Sequence, residues 1–191
     1  VYLRDIIESD AWRTTKAKLP LVLGKDVGGT DLIADLASMP HLLIAGATGA
    51  GKTVCMNSIL AGLLMSRTPE QLRLMLVDPK IVEFSAYNNL PHLVVPVITD
   101  AKKVTLGLRW AIEEMEKRYK LFAKVGVRNI EGYNSRPIVK QQDLFAPPPA
   151  AEGQPAPEPP KKPDIPDRVP YIVIIVDELA DLMLVAQADI E

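Results

Sequence analysis

Cysteine is almost missing. Cys55 stands alone among 191 residues, which excludes a disulfide-stapled scaffold. With only two histidines, His41 and His92, both remote from it in sequence, there is no Cys/His metal-ligand spacing. Long hydrophobic runs are also lacking. The longest lie near Leu42–Ala45, Leu72–Val77 and Tyr171–Val176, far short of the roughly 20 apolar residues a membrane span needs. No basic segment followed by an apolar one opens the chain, so a signal-peptide pattern is absent too. Nor is there an excess of one charge: 22 Lys+Arg against 24 Asp+Glu leave a net charge of −2, which makes no general case for nucleic acid. At 48% hydrophobic residues the chain is not disordered, and its length allows one domain with a sizeable core.

Proline is plentiful in one place. Ten of the 17 prolines lie between Pro147 and Pro170. Because proline lacks the N–H and fixes φ, the stretch from about Gln141 to Val169 packs neither as helix nor as strand. It reads as a tolerated, partly polyproline-II surface insertion, with an SH3-type ligand or an interdomain linker as rivals. Strand-like sequence resumes at Tyr171.

Hydrophobic periodicity orders the remainder. Residues 3–12 suggest a short amphipathic helix. Leu21–Leu23 and Leu32–Leu36 flank Gly28-Gly29 and predict an N-terminal β-hairpin. The runs 41–45, 72–77 and 171–176 carry no polar alternation, as strands buried on both faces do. Helices are predicted at 52–66, at 102–124 and from about Glu178. In the long one Val104, Leu108, Met115, Tyr119 and Phe122 should form the buried stripe, while Glu113/Lys117, Glu114/Arg118 and Glu116/Lys120 make i,i+4 pairs. The β-α-β-α-β alternation predicts a doubly wound α/β fold with a mostly parallel sheet flanked by helices. Ligands bind beyond the carboxyl ends of such strands, and those ends carry Gly46, Asp78 and Asp177.

Gly46-Ala47-Thr48-Gly49-Ala50-Gly51-Lys52-Thr53, followed by Val54, fits G-x4-G-K-[ST]. Glycines let the backbone wrap a polyphosphate closely, so that its N–H groups form an anion nest. The helix that starts near Gly51 adds the positive end of its dipole. Lys52 would reach the β- and γ-phosphates, and the Thr53 hydroxyl would be an oxygen ligand for Mg²⁺. The apolar strand 171–176 ends in Asp177-Glu178. Asp177 would hold Mg²⁺ through water, and Glu178 would polarise the attacking water as general base. No guanine-reading N-K-x-D occurs, which favours ATP. Asp78 and Lys80 read equally as γ-phosphate sensors or as a strand-ending turn with a solvated charge pair. Cys55, Met56, Leu60, Leu63 and Leu64 read as helix packing.

Four blocks go further: PHLLIAGATGAGKT (40–53), LMLVDPKIVEFSAYNNLPHL (74–93), LRWAIEEMEKRYKLFAKVGVRNIEGYN (108–134) and YIVIIVDELADLM (171–183). In this order they resemble the motor domain of the FtsK/SpoIIIE double-stranded DNA translocases, and residues 1–12 and 20–36 resemble the start of that motor. The resemblance implies a RecA-like P-loop NTPase core with MgATP as cofactor. It also implies a homo-oligomeric, hexameric ring around double-stranded DNA, and service in chromosome segregation and cell division. The motor would be cytoplasmic, in a full-length protein anchored in the bacterial cell membrane. On this reading residues 1–39 lead into an ATPase core at 40–191. A further strand with a polar sensor, and the arginine that acts on a neighbouring subunit, are expected past Glu191. A protein-secretion ATPase of the same family type is the alternative. Residues 101–140 hold ten Lys/Arg against four Asp/Glu. They offer Arg128, Arg136 and Lys140 as phosphate contacts, unless helical glutamates merely neutralise a solvated face.

Overall fold

The computed structural model describes residues 1–47, 49–138 and 165–190. They form two units, residues 1–107 with 170–191, and residues 108–169. Thr48, Lys140 and most of the proline-rich stretch lie outside the described residues.

In the first unit the predicted opening helix is two short ones, α1 (Leu3–Ile7) and α2 (Asp10–Thr14). Ser9 divides them. Its hydroxyl donates to the Ile6 carbonyl at 2.8 Å and accepts the Trp12 N–H at 3.2 Å, capping α2. The hairpin is present as β1 (Pro20–Lys25) and β2 (Asp31–Asp35), antiparallel with a bulge between Val22 and Gly24. Its turn is closed by the Asp26 carboxylate, which accepts from Gly28 and Thr30 N–H, both at 2.8 Å. The Asp35 carboxylate then ties down the N–H groups of Lys18, Leu19 and Ala37.

α3 (Lys52–Ser66) packs Met56, Ile59, Leu60 and Leu63 against Leu21 of β1 and against Leu72, Leu74 and Leu76 of β3 (Leu72–Val77). Gly62 makes the approach to β1 possible, because a Cβ there would meet Val22 Cγ2 at 3.1 Å and Trp12 at 3.3 Å. β3 pairs in parallel with β4 (Tyr171–Val176), in register from Leu72 opposite Tyr171 to Val77 opposite Val176. Along the other edge of β3 runs 92–98. The Leu74 and Asp78 N–H groups donate to the His92 and Ile98 carbonyls at 2.8 and 2.9 Å. β3 is thus paired along both edges, and its side chains are buried on both faces, as its apolar run requires.

The predicted strand at 41–45 is not one. Residues 41–47 belong to no ladder, and Leu43 is 80% exposed. Residues 40–47 and the free side of β4 line a cavity of about 1120 Å³ instead. An apolar run reports that both faces seek burial, but the backbone donors along it need a neighbouring strand at hydrogen-bond distance. Here β4 lies across a cavity.

The helix α4 (Ala101–Lys124) begins in the first unit, where Val104 is buried and Gly107 sits against Met75 and Ile98. In the second unit Phe122 is buried as expected. Met115 and Tyr119, assigned to the buried stripe, face outward, Tyr119 at 60% exposure. The stripe is buried at its two ends, Val104 in the first unit and Phe122 in the small core with Tyr133 and Val169. Of the predicted pairs Glu114–Arg118 forms, at 2.8 Å. Asn129 caps α5 (Ile130–Ser135) by accepting the Gly132 N–H at 2.8 Å. Asn134 holds Val169 from both sides, donating to its carbonyl and accepting from its N–H. α6 (Leu179–Ile190) follows β4 in the first unit. No helix among the described residues is long and apolar enough to cross a membrane.

Candidate functional site: a phosphate loop facing two acids

Between 46 and 51 the loop turns on two glycines in the left-handed region, Gly49 at φ 81° and Gly51 at φ 95°, a conformation that costs other residues energy. Gly51 is the N-cap of α3 and brings no side chain to it. The first-turn N–H groups of a 15-residue helix are thus left facing the loop without a capping oxygen. A Cβ on Gly46 would press on the Ala50 Cβ at 3.1 Å, so a side chain here would need Ala50 to give way by a few tenths of an ångström. Gly46, Ala47, Gly49, Ala50, Gly51 and Val54 are exposed, as a ligand-contacting loop requires.

Lys52 extends from the start of α3 to the end of β4. Its Nζ donates to the Asp177 carbonyl at 2.9 Å and to Glu178 Oε2 at 3.2 Å, and lies 3.5 Å from Asp177 Oδ1. The last separation is ion-pair range without a hydrogen bond, and Asp177 Oδ1 has no hydrogen-bond partner although it is buried. Burial opposes the Lys52 charge. The hydrogen bond to Glu178 and the charges of Asp177 and Glu178 outweigh it, so the ammonium is held above its ordinary pKa. Asp177 moves the other way from most carboxylates. Burial raises its pKa, Lys52 lowers it, and the nearby charges of Glu83 and Asp78 raise it again. A buried, partly unsatisfied carboxylate oxygen beside a hydroxyl-bearing helix start is a donor set suited to a hard divalent cation.

Thr53 Oγ1 donates to Glu83 Oε1 at 2.9 Å. Sequence reasoning did not single out Glu83, which sits in an irregular segment with no spacing signal. Asp78 explains its position. This carboxylate is 0% exposed and accepts N–H from Val82, Glu83 and Phe84 at 3.3, 2.9 and 2.9 Å. It thus folds residues 79–84 back onto the strand end, with Ile81 at φ 59°. Asp78 is a loop clamp turned to backbone, and Lys80 reaches Asp181 at 3.0 Å. The strand-ending turn is present, but Asp78 is buried in it and is not half of a solvated charge pair with Lys80. Arg136 lies over the Tyr133 ring at 3.7 Å and donates to the carbonyls of Tyr133, Pro166 and Asp167, while Arg128 is exposed.

A glycine loop opening a helix, its lysine facing an Asp-Glu pair at the end of a parallel strand, defines a P-loop nucleotide-binding core. The fold agrees. The EccC type VII secretion ATPase of Thermomonospora curvata superposes with a TM-score of 0.65 at 20% identity over 100% of this chain and 20% of its own. The pCW3 conjugation coupling protein TcpA, solved with ATPγS, does so with a TM-score of 0.61 at 28% identity over 92% of this chain and 40% of its own. The chain belongs to the FtsK/SpoIIIE family, whose model matches residues 2–191. It is 48% identical, over its whole length, to the DNA translocase FtsK of Haemophilus ducreyi, and 47% identical to the DNA translocase SftA of Bacillus subtilis. It spans 20% and 18% of those two relatives.

Proposed function

We propose that this chain is the ATP-hydrolysing motor core of a double-stranded DNA translocase of the chromosome segregation and cell division type. The observation that carries the proposal is the placement of Lys52 between the glycine loop and the Asp177-Glu178 step. In this reading the backbone N–H groups of residues 46–51 and the start of α3 hold the phosphates, with Val54 beside them. Thr53 would hold Mg²⁺ directly, and the buried Asp177 oxygen would hold it through water. When bound, that ion neutralises charge on the phosphates. Glu178 accepts a proton from the attacking water. The geometry adds an order to these roles. Lys52 now neutralises Glu178 directly, so Glu178 becomes a free base only when the ammonium exchanges its acceptors for phosphate oxygens.

The DNA partner rests on the 46–48% identity to proteins named DNA translocases. The +6 local charge of residues 101–140 is consistent with a non-specific grip on phosphates, exposed Arg128 being the available described candidate. The secretion alternative is the weaker one, since the secretion ATPase among the structural neighbours is 20% identical and speaks to fold alone. A hexameric ring and a membrane-anchored full-length protein complete the reading, with the motor itself in the cytoplasm.

Two variants and one partner test it. K52A should abolish ATP binding in calorimetry while the circular dichroism of the fold persists. E178Q should bind ATP but not turn it over. The full-length protein should hydrolyse ATP faster when long duplex DNA is added. A turnover rate indifferent to DNA would refute the translocase reading, and unchanged affinity in K52A would refute the site.

A further inference from the structure

Glu83 is the one acid of the site that the roles above leave unused, and its contact is specific. A threonine hydroxyl has one proton and two lone pairs. To offer a lone pair to a cation it must send its proton elsewhere. At Thr53 the proton goes to Glu83 Oε1, 2.9 Å away. We infer that Glu83 is the positioning residue for the Thr53 hydroxyl: it takes the proton and thereby aims the oxygen lone pairs of Thr53 at the divalent cation of the nucleotide site. This deepens the proposed function and rests on the ATP-site reading given there.

The surroundings support a built arrangement. Three backbone N–H groups of the segment carrying Glu83 are anchored on the buried Asp78 carboxylate. The same segment is tied to α3 a second time. Tyr87 Oη donates to Asn57 Oδ1 at 2.7 Å, and Asn57 Nδ2 donates to the Thr53 carbonyl at 3.1 Å. The first turn of α3 is therefore held at Thr53 from both its side chain and its backbone by one segment that follows β3. Partners of this kind fix a ligand's orientation, and their loss typically costs 10- to 100-fold in metal affinity.

The test is a Mg²⁺ titration of the protein with adenylyl-imidodiphosphate, read by calorimetry, beside nucleotide affinity in EDTA. E83A should raise the Mg²⁺ midpoint about 10-fold and leave the affinity in EDTA unchanged. E83Q, which keeps an acceptor oxygen, should stay near the native midpoint. E83D keeps the charge but withdraws the oxygen by one methylene. It should raise the midpoint as well, and it serves should E83A not fold. Because Glu83 acts through Thr53, T53A and the T53A/E83A double variant should share one midpoint. Additive losses, an unmoved midpoint in E83A and E83D, or a loss in E83Q equal to that in E83A would each overturn the inference. K52A separates the two levels. If K52A keeps its nucleotide affinity in EDTA, the ATP site itself is wrong. If K52A loses it while the Glu83 variants behave as native, only the role of Glu83 falls.

Discussion

Replacing Asp78 by alanine should cost about 3 kcal/mol and do so in a pH-dependent way. The carboxylate is fully buried and serves three N–H groups. Val82 is exposed, so its N–H can turn to water. The Glu83 and Phe84 N–H groups cannot readily do so, since Phe84 is itself buried. Each buried donor left without an acceptor costs about 1–3 kcal/mol. Two of them amount to about 4 kcal/mol, and removing a charge from the interior returns roughly 1 kcal/mol of that. Burial pushes the Asp78 carboxyl up. The N–H donors of Phe84, Val82, Glu83 and Ile81 outweigh it, and the pKa falls below the ordinary 3.8. A carboxyl with a lower pKa folded than unfolded stabilises the fold above the unfolded value, and that contribution is lost as pH falls through the folded value. The stability gap between native and D78A in urea unfolding should therefore be constant from about pH 7 to 5 and shrink below about 3.8. Amide exchange at Glu83 and Phe84 should quicken in the variant. A gap under about 0.5 kcal/mol at neutral pH, the scale of a surface change, or a gap that widens on acidification, would refute the reasoning.

Other perturbations have expected sizes too. L60A removes a side chain with no exposed surface from between α3 and β3 and should cost about 2–5 kcal/mol by urea unfolding. G51A meets no atom within 4 Å but must hold φ 95°. It should lose about 1–2 kcal/mol through backbone strain alone and weaken nucleotide binding with it. G62L drives a side chain into Val22 and Trp12 and should cost about 1–3 kcal/mol by overpacking. Y133F removes the hydroxyl that donates to the Pro166 carbonyl and should cost about 1 kcal/mol, visible as a lower midpoint for residues 108–169.

The legible parts of the fold were those whose signal is local. The 72–77 and 171–176 runs read as strands buried on both faces, and they pair in parallel along their whole length. The helix at 52–66 is found at those residues, its start marked by Gly51 and its face by Met56, Leu60 and Leu63. The 41–45 run carries the same composition and forms no ladder, because composition reports a wish for burial and not the neighbour that satisfies it. Met115 and Tyr119 have the right spacing but are exposed among the described residues. Of the site, the loop, Lys52 and the Asp177-Glu178 step were readable from residue types and order. Glu83 was not. It reaches Thr53 only because the Asp78 carboxylate folds the intervening residues back, a tertiary event that leaves no periodic mark. Asp78 itself was visible as a strand-ending acid, but its direction, toward the backbone N–H groups of 82–84, depends on the same turn.

The most direct measurement is a structure of the protein with adenylyl-imidodiphosphate and Mg²⁺. Lys52 Nζ should then have left the Asp177 carbonyl and Glu178 for the β- and γ-phosphates, with Thr53 and Asp177 around the cation. A nucleotide bound elsewhere, with Lys52 still on Asp177 and Glu178, would contradict the central claim.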